Sequence, residues 1–163
     1  MLLAAPLAVL SLAACSDDDS FSASPDHRLA FSADTVSLDT TFSRVPTTTR
    51  TFWVYNRSGD GLRCTSVRLR KGNQTGFRVN VDGMYLGQAS GYQVGGVELR
   101  KDDSLRVFVE LTSADTHSEV PELLEDDLVF TLESGVEQKV NLRAWSWDAT
   151  LLDGLKISRD TLI

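Results

Sequence analysis

The sequence predicts an all-β fold, two antiparallel sheets packed face to face in a sandwich of about seven to nine strands. Three observations predict it. From Leu29 onward apolar residues recur with period two, the alternation that puts one side of a strand in the core and the other in water. Clusters of Gly, Asn, Asp and Ser break these segments at intervals of roughly 8 to 15 residues. No segment carries the 3.6-residue stripe of an amphipathic helix.

In chain order, Val36, Leu38, Thr40 and Phe42 are expected on one face, with Thr35, Ser37, Asp39 and Thr41 on the other. Pro46 and a Thr run interrupt, and Thr51-Phe52-Trp53-Val54-Tyr55 then gives an unbroken β-favouring segment. Residues 56–61, Asn-Arg-Ser-Gly-Asp-Gly, are a turn by composition. Leu62 and Cys64 alternate in one parity, Val67 and Leu69 in the other. A bulge near Thr65-Ser66 returns both pairs to the core by adding one residue to the strand. Phe77, Val79 and Val81 follow, closed by Asp82-Gly83. Residues 84–96 are glycine-rich and read as a loop with one short ribbon. Val97 and Leu99 restart the alternation before the Lys101-Asp102-Asp103 turn.

The clearest strand sets Leu105, Val107, Val109 and Leu111 against Arg106, Phe108 and Glu110. Residues 112–125 are polar with Pro121, and read as a loop holding one helical turn over 119–124. Leu128, Phe130 and Leu132, the Ser134-Gly135 turn, and Val136, Gln138, Val140, Leu142 and Ala144 form a hairpin that runs on to Trp145-Ser146-Trp147. This succession of short half-buried strands is that of an immunoglobulin-like sandwich.

Composition bounds the function. A chain of 163 residues has room for one domain with a sizeable core. Its net charge of −7, from 16 basic and 23 acidic residues, excludes the basic footprint of a nucleic-acid binder and electrostatic adhesion to anionic lipid. The two cysteines, Cys15 and Cys64, leave no disulfide scaffold once Cys15 is committed elsewhere.

The commitment of Cys15 comes from the start of the chain. Residues 2–14 are apolar apart from Pro6 and Ser11, too short for a spanning helix of about 20 residues but suited to a signal-peptide apolar region. Leu12-Ala13-Ala14-Cys15 resembles the lipobox of bacterial lipoproteins. That resemblance implies a diacylglycerol on the Cys15 sulfur, cleavage just before it, and acylation of the new amino group. Several acyl chains hold a protein durably, since each buried methylene contributes about 0.8 kcal/mol. Ser16-Asp17-Asp18-Asp19 resembles the acidic export signal of surface lipoproteins in some Gram-negative gut anaerobes, which implies an outer-membrane anchor facing the cell exterior. The absence of Lys and Arg ahead of the apolar run points to a start codon further upstream.

Residues 1–14 thus read as signal peptide, 15–28 as a lipidated flexible tether reaching on the order of 20 Å, and 29–149 as the sandwich. Residues 150–163, with Leu155, Ile157, Leu162 and Ile163, read as the start of a further, truncated unit.

A second resemblance covers 29–149. Asp34-Thr35-Val36-Ser37-Leu38-Asp39, Phe52-Trp53-Val54-Tyr55-Asn56 with its Gly turn, Val67-Arg68-Leu69 and Phe77-Arg78-Val79 are similar to immunoglobulin-like sandwiches of the major-sperm-protein and Hydin type. In bacterial surface lipoproteins such domains act as spacers or interaction modules.

Catalytic constellations are poor. His27 falls in the tether and His117 in a polar loop, and no Gly-x-Ser-x-Gly elbow exists. Cys64 is expected as a small core residue. Asp102-Asp103, Asp115, Glu119, Glu122 and Glu125-Asp126-Asp127 lack the spacing of a calcium loop and read as solvated turns.

Trp145 and Trp147 share a strand face opposite Val140, Leu142 and Ala144, and Trp53 and Tyr55 form a similar pair beside Phe52 and Val54. Such aromatics stack on sugars, anchor a protein or pack on a neighbouring unit.

The expectation is a non-enzymatic surface lipoprotein without cofactor, bound to outer-membrane lipid through acylated Cys15, with a protein or glycan partner. The alternative is an accessory glycan-binding lipoprotein of a polysaccharide-uptake or degradation system, its active region in missing C-terminal sequence.

Overall fold

In the structure, a computed structural model, residues 20–148 are described. They form the strands β1 (Leu29–Phe31), β2 (Thr35–Ser37), β3 (Thr41–Phe42), β4 (Arg50–Asn56), β5 (Leu62–Leu69), β6 (Phe77–Val81), β7 (Met84–Tyr85), β8 (Gln93–Val94), β9 (Val97–Leu99), β10 (Ser104–Leu111), β11 (Glu122–Leu132) and β12 (Glu137–Trp147). The strands longer than three residues are β4, β5, β6, β10, β11 and β12; the short ones raise the total above the expected seven to nine. A single 3-10 turn, Gln88–Ser90, lies within the glycine-rich segment.

Two sheets result. One has five strands in the order β1-β4-β10-β6-β7. The other has seven, built on β2-β12-β11-β5-β8, with β3 beside β12 and β9 beside β5. Pairings are antiparallel except those of β2 and β3 with β12, which are parallel. The core fills the space between the sheets: Phe52, Val54, Val79, Val107 and Val109 from one side meet Leu62, Val67, Phe130, Val140 and Leu142 from the other. Phe31 and Phe130 pack with ring centroids 5.2 Å apart, a tilted aromatic pair that joins the layers. The fold is therefore an all-β, immunoglobulin-like sandwich with no disulfide among the described residues, where Cys64 is free.

The bulge expected in β5 is present. Thr131 faces Ser66 while Leu132 faces Cys64, so Thr65 is the extra residue, and all four apolar side chains reach the core.

Three local expectations are corrected. Phe42 does not continue the buried row of Val36 and Leu38; Thr41 is buried and Phe42 points outward. From Ser37 to Thr41 the chain takes four steps while its partner takes three, from Arg143 to Ser146, and the additional residue inverts the face. No helical turn forms over 119–124, because β11 starts at Glu122 and pairs with β12 from Ser146 down to Glu137. Within the segment 15–28, expected as a flexible tether, residues 20–22 are fastened to the domain. Phe21 bridges Gly61, the Ser22 amide donates to the Gly61 carbonyl at 2.9 Å, and the Arg63 guanidinium lies 4.7 Å from the Phe21 ring centre.

Candidate functional site

Strict alternation in β12 sends Val140, Leu142, Ala144 and Ser146 into the core and Lys139, Arg143, Trp145 and Trp147 to the outer face of the seven-stranded sheet. That outer face is divided.

At one end, opposite charges lie across neighbouring strands. Arg63 pairs with Glu98 at 2.9 Å and Glu133 at 3.5 Å, and Arg68 pairs with Glu137 at 3.3 Å. Asp127 takes Arg70 at 3.2 Å and Lys139 at 3.0 Å. Burial alone would raise the Asp127 carboxyl. The hydrogen bonds from Lys139 and Asn141 and the charges of Lys139 and Arg70 outweigh it and hold the group below its ordinary value. Val129, on this face, is nonetheless fully buried, flanked in register by the long stems of Arg68 and Lys139.

At the other end the same strands turn apolar. Trp145 stands opposite Leu123 on β11, and Trp147 opposite Phe42 on β3. These four residues are between 39% and 52% exposed, a run of large apolar side chains left open to solvent. A shallow groove lies beside them, lined by Ser37, Leu123, Arg143 and Trp145, with Arg143 fixed by donating from Nε to Ser37 Oγ at 2.9 Å. The expected Trp145–Trp147 pair therefore sits on one exposed face. Its partners Leu123 and Phe42 escaped sequence reasoning, because only the strand register brings them alongside.

Trp53 and Tyr55 lie on the outer face of the other sheet. The Arg106 guanidinium stacks between Trp53, at 5.5 Å, and Phe108, at 5.2 Å, and Arg57 lies 5.1 Å from the Tyr55 ring centre. The two tryptophan-containing pairs thus face opposite directions and form no common surface.

Polar nodes of structural character surround these faces. Asn56 is almost wholly buried; Nδ2 donates to the carbonyls of Asp60, Leu99 and Arg100 at 2.8–3.0 Å, and Oδ1 accepts from the Ser58 amide and hydroxyl. This side chain holds the 56–61 turn against the β9–β10 connection. Asp126, expected in a solvated turn, is a buried strand residue. Its carboxylate accepts from the Lys71 amide at 3.0 Å and the Thr75 hydroxyl at 3.2 Å, tying down the β5–β6 loop. Asp148 accepts from the backbone amides of Thr116 and Ser118, and bonds led by Thr116 hold its carboxyl below the ordinary value.

Cys64 is buried and desolvation pushes its thiol up to about 12, so it is an unreactive core residue at neutral pH. His27 is half-buried in the segment before β1, and His117 is exposed in the loop held by Asp148. Among the described residues no group of three or more His, Cys, Asp or Glu converges on a point that could hold a metal. Cys15, Ser16, Asp17, Asp18 and Asp19 lie outside the described residues, as do 149–163.

No family model matches the chain, and no curated protein matches it. Solved structures resemble it at low identity. A protein of unknown function from Porphyromonas gingivalis is 10% identical, with a TM-score of 0.49 over 73% of this chain and 46% of that one, so this chain spans less than half of its length. The PapD-like domain 7 of human CEP192 is 10% identical, with a TM-score of 0.44 over 88% of this chain and all of that domain. The N-terminal domain of PorA is 13% identical, with a TM-score of 0.46 over 73% and 97% of the two chains. These likenesses concern the fold alone, and the sandwich assignment stands on the two sheets themselves.

Proposed function

We propose that this chain is a lipid-anchored protein of the outer membrane, exposed at the cell surface, whose sandwich is a non-catalytic interaction module. The observation that carries the interaction role is the apolar end of the divided face. Trp145, Trp147, Leu123 and Phe42 stay open to solvent on a sheet whose remaining outer face is laced by ion pairs. Large aromatics at the centre of a contact supply most of its affinity. The anchor rests on Leu12-Ala13-Ala14-Cys15, and the outward orientation on Asp17, Asp18 and Asp19.

Fractionation tests the anchor: Cys15→Ala is expected to leave the protein unacylated and out of the membrane pellet. Replacing Asp17, Asp18 and Asp19 by Ala is expected to preserve acylation while shielding the protein from protease added to intact cells. Acylation of the Cys15→Ala variant, or undiminished digestion of the triple variant, contradicts the corresponding half of the reading.

A further inference from the structure

We propose that the groove between Tyr85 and Phe108, on the outer face of the five-stranded sheet, binds one pyranose ring of a neutral polysaccharide. This site is separate from the Trp145–Trp147 end and does not rest on the anchor or on the docking role proposed above. Phe108 on β10, Asn80 on β6 and Tyr85 on β7 stand in one cross-strand row. Adjacent strands lie about 4.8 Å apart, so the two aromatic residues face each other across about 10 Å with Asn80 as the floor between them. The groove measures about 220 Å³ and is lined by Arg78, Asn80, Tyr85, Phe108 and Glu110. That is below the range of roughly 300–1,000 Å³ typical for drug-sized ligands, a size for a single ring.

Each wall and each polar group is held before any ligand arrives. Tyr85 is 54% exposed, yet its ring lies over Gly87, where an added Cβ would come within 2.7 Å of the ring edge. Only glycine lets the ring rest there. Phe108 is 37% exposed and carries the Arg106 guanidinium against it. Asn80 Oδ1 accepts from the Gly83 amide at 2.7 Å, which fixes the amide plane and leaves the Nδ2 donors without a partner among the described residues. Glu110 is clamped from both sides, by Thr49 Oγ1 at 2.5 Å and by Arg78 at 2.9 Å.

The donor set selects the ligand. Arg78 and Glu110 neutralise each other, so the floor offers amide and guanidinium donors and a carboxylate acceptor without net charge. A pyranose ring presents apolar C–H faces and a rim of hydroxyls. Its faces match the aromatic walls, and its hydroxyls match donors and acceptor on the floor. An anionic sugar would meet the Glu110 carboxylate, whose Arg78 partner is already engaged, and an apolar ligand would leave the Asn80 donors unpaired.

Affinity electrophoresis of the full chain, in non-ionic detergent gels containing a glucan, a mannan, a galactan or a xylan, tests this. At least one neutral polymer should retard the protein. Tyr85→Ala should weaken that retardation about tenfold, and Tyr85→Phe should preserve it. Asn80→Asp keeps the oxygen that receives the Gly83 amide but removes the donors, and should weaken retardation without lowering the melting temperature. Gly87→Ala should weaken it by displacing the ring. No retardation by any neutral polymer, retardation only by polygalacturonate, or loss through Trp145→Ala rather than Tyr85→Ala would each overturn the proposal.

Discussion

The two ends of the outer face of the seven-stranded sheet share strands, register and the core beneath them, yet carry opposite surfaces. Where β5, β11 and the first half of β12 run together, Arg63, Arg68, Arg70 and Lys139 alternate with Glu98, Asp127, Glu133 and Glu137. Where β11, β12 and β3 run together, Leu123, Trp145, Trp147 and Phe42 replace them. The inner residues Leu128, Val140, Leu142 and Ala144 are buried under both ends alike. Burial inside the sandwich therefore stabilises the fold whichever surface lies above it. The charged end suits water and opposes edge-to-edge or face-to-face association. The aromatic end leaves apolar area exposed, which is favourable only when something covers it.

That comparison breaks first if stability resides in the outer face rather than beneath it. Asn56→Ala should have the largest effect of the substitutions considered. It removes the side-chain hydrogen bonds that tie the 56–61 turn to the β9–β10 connection and takes the Asn56 donor from the buried Leu99 carbonyl, and a loss of about 3 kcal/mol is expected by chemical denaturation. Asp126→Ala should cost about 2 kcal/mol, since the Lys71 amide and the Thr75 hydroxyl lose their buried acceptor. A loss below about 0.5 kcal/mol at both sites would mean that these nodes do not hold their loops.

Smaller effects sharpen the charged end. The Asp127 carboxyl is held below its ordinary value of 3.8, so it contributes stability that is fully present above that pH and lost as pH falls through its folded value. Unfolding followed between about pH 5 and pH 2 should therefore show a steeper loss in the parent than in Lys139→Met, and parallel curves would contradict the pairing. Least of all, Arg68→Met, which keeps an apolar stem over Val129, should change stability by no more than about 0.5 kcal/mol, because Arg68–Glu137 is a solvent-facing pair. A substantially greater loss there would show that the ladder holds the sheet together.

Much of this was legible in the sequence wherever one strand's own alternation decides the outcome. The Leu62–Cys64 and Val67–Leu69 change of parity pointed to the bulge at Thr65, and the β12 alternation placed Trp145 and Trp147 outside. What escaped depends on partners distant in sequence. The inversion that exposes Phe42 arises from unequal step counts on β3 and β12, which no single segment displays. The Asp126 carboxylate hid the start of β11, because a charged residue at an inward position reads as a break in the hydrophobic pattern. Its burial is intelligible only once Lys71 and Thr75 are seen against it. Phe21 likewise reads as part of a polar tether until Gly61 and Arg63 receive it. The Tyr85–Phe108 groove draws its walls from strands separated in the chain, so periodicity could not reveal it.

The central claim is that the aromatic end of the face docks a partner and the charged end does not. Photo-crosslinking on intact host cells tests it most directly, with a benzoylphenylalanine placed at position 145 in one strain and at position 68 in another. A discrete, light-dependent adduct is expected from position 145 and none from position 68. Equal labelling from both positions, or an adduct from position 68 alone, would contradict it.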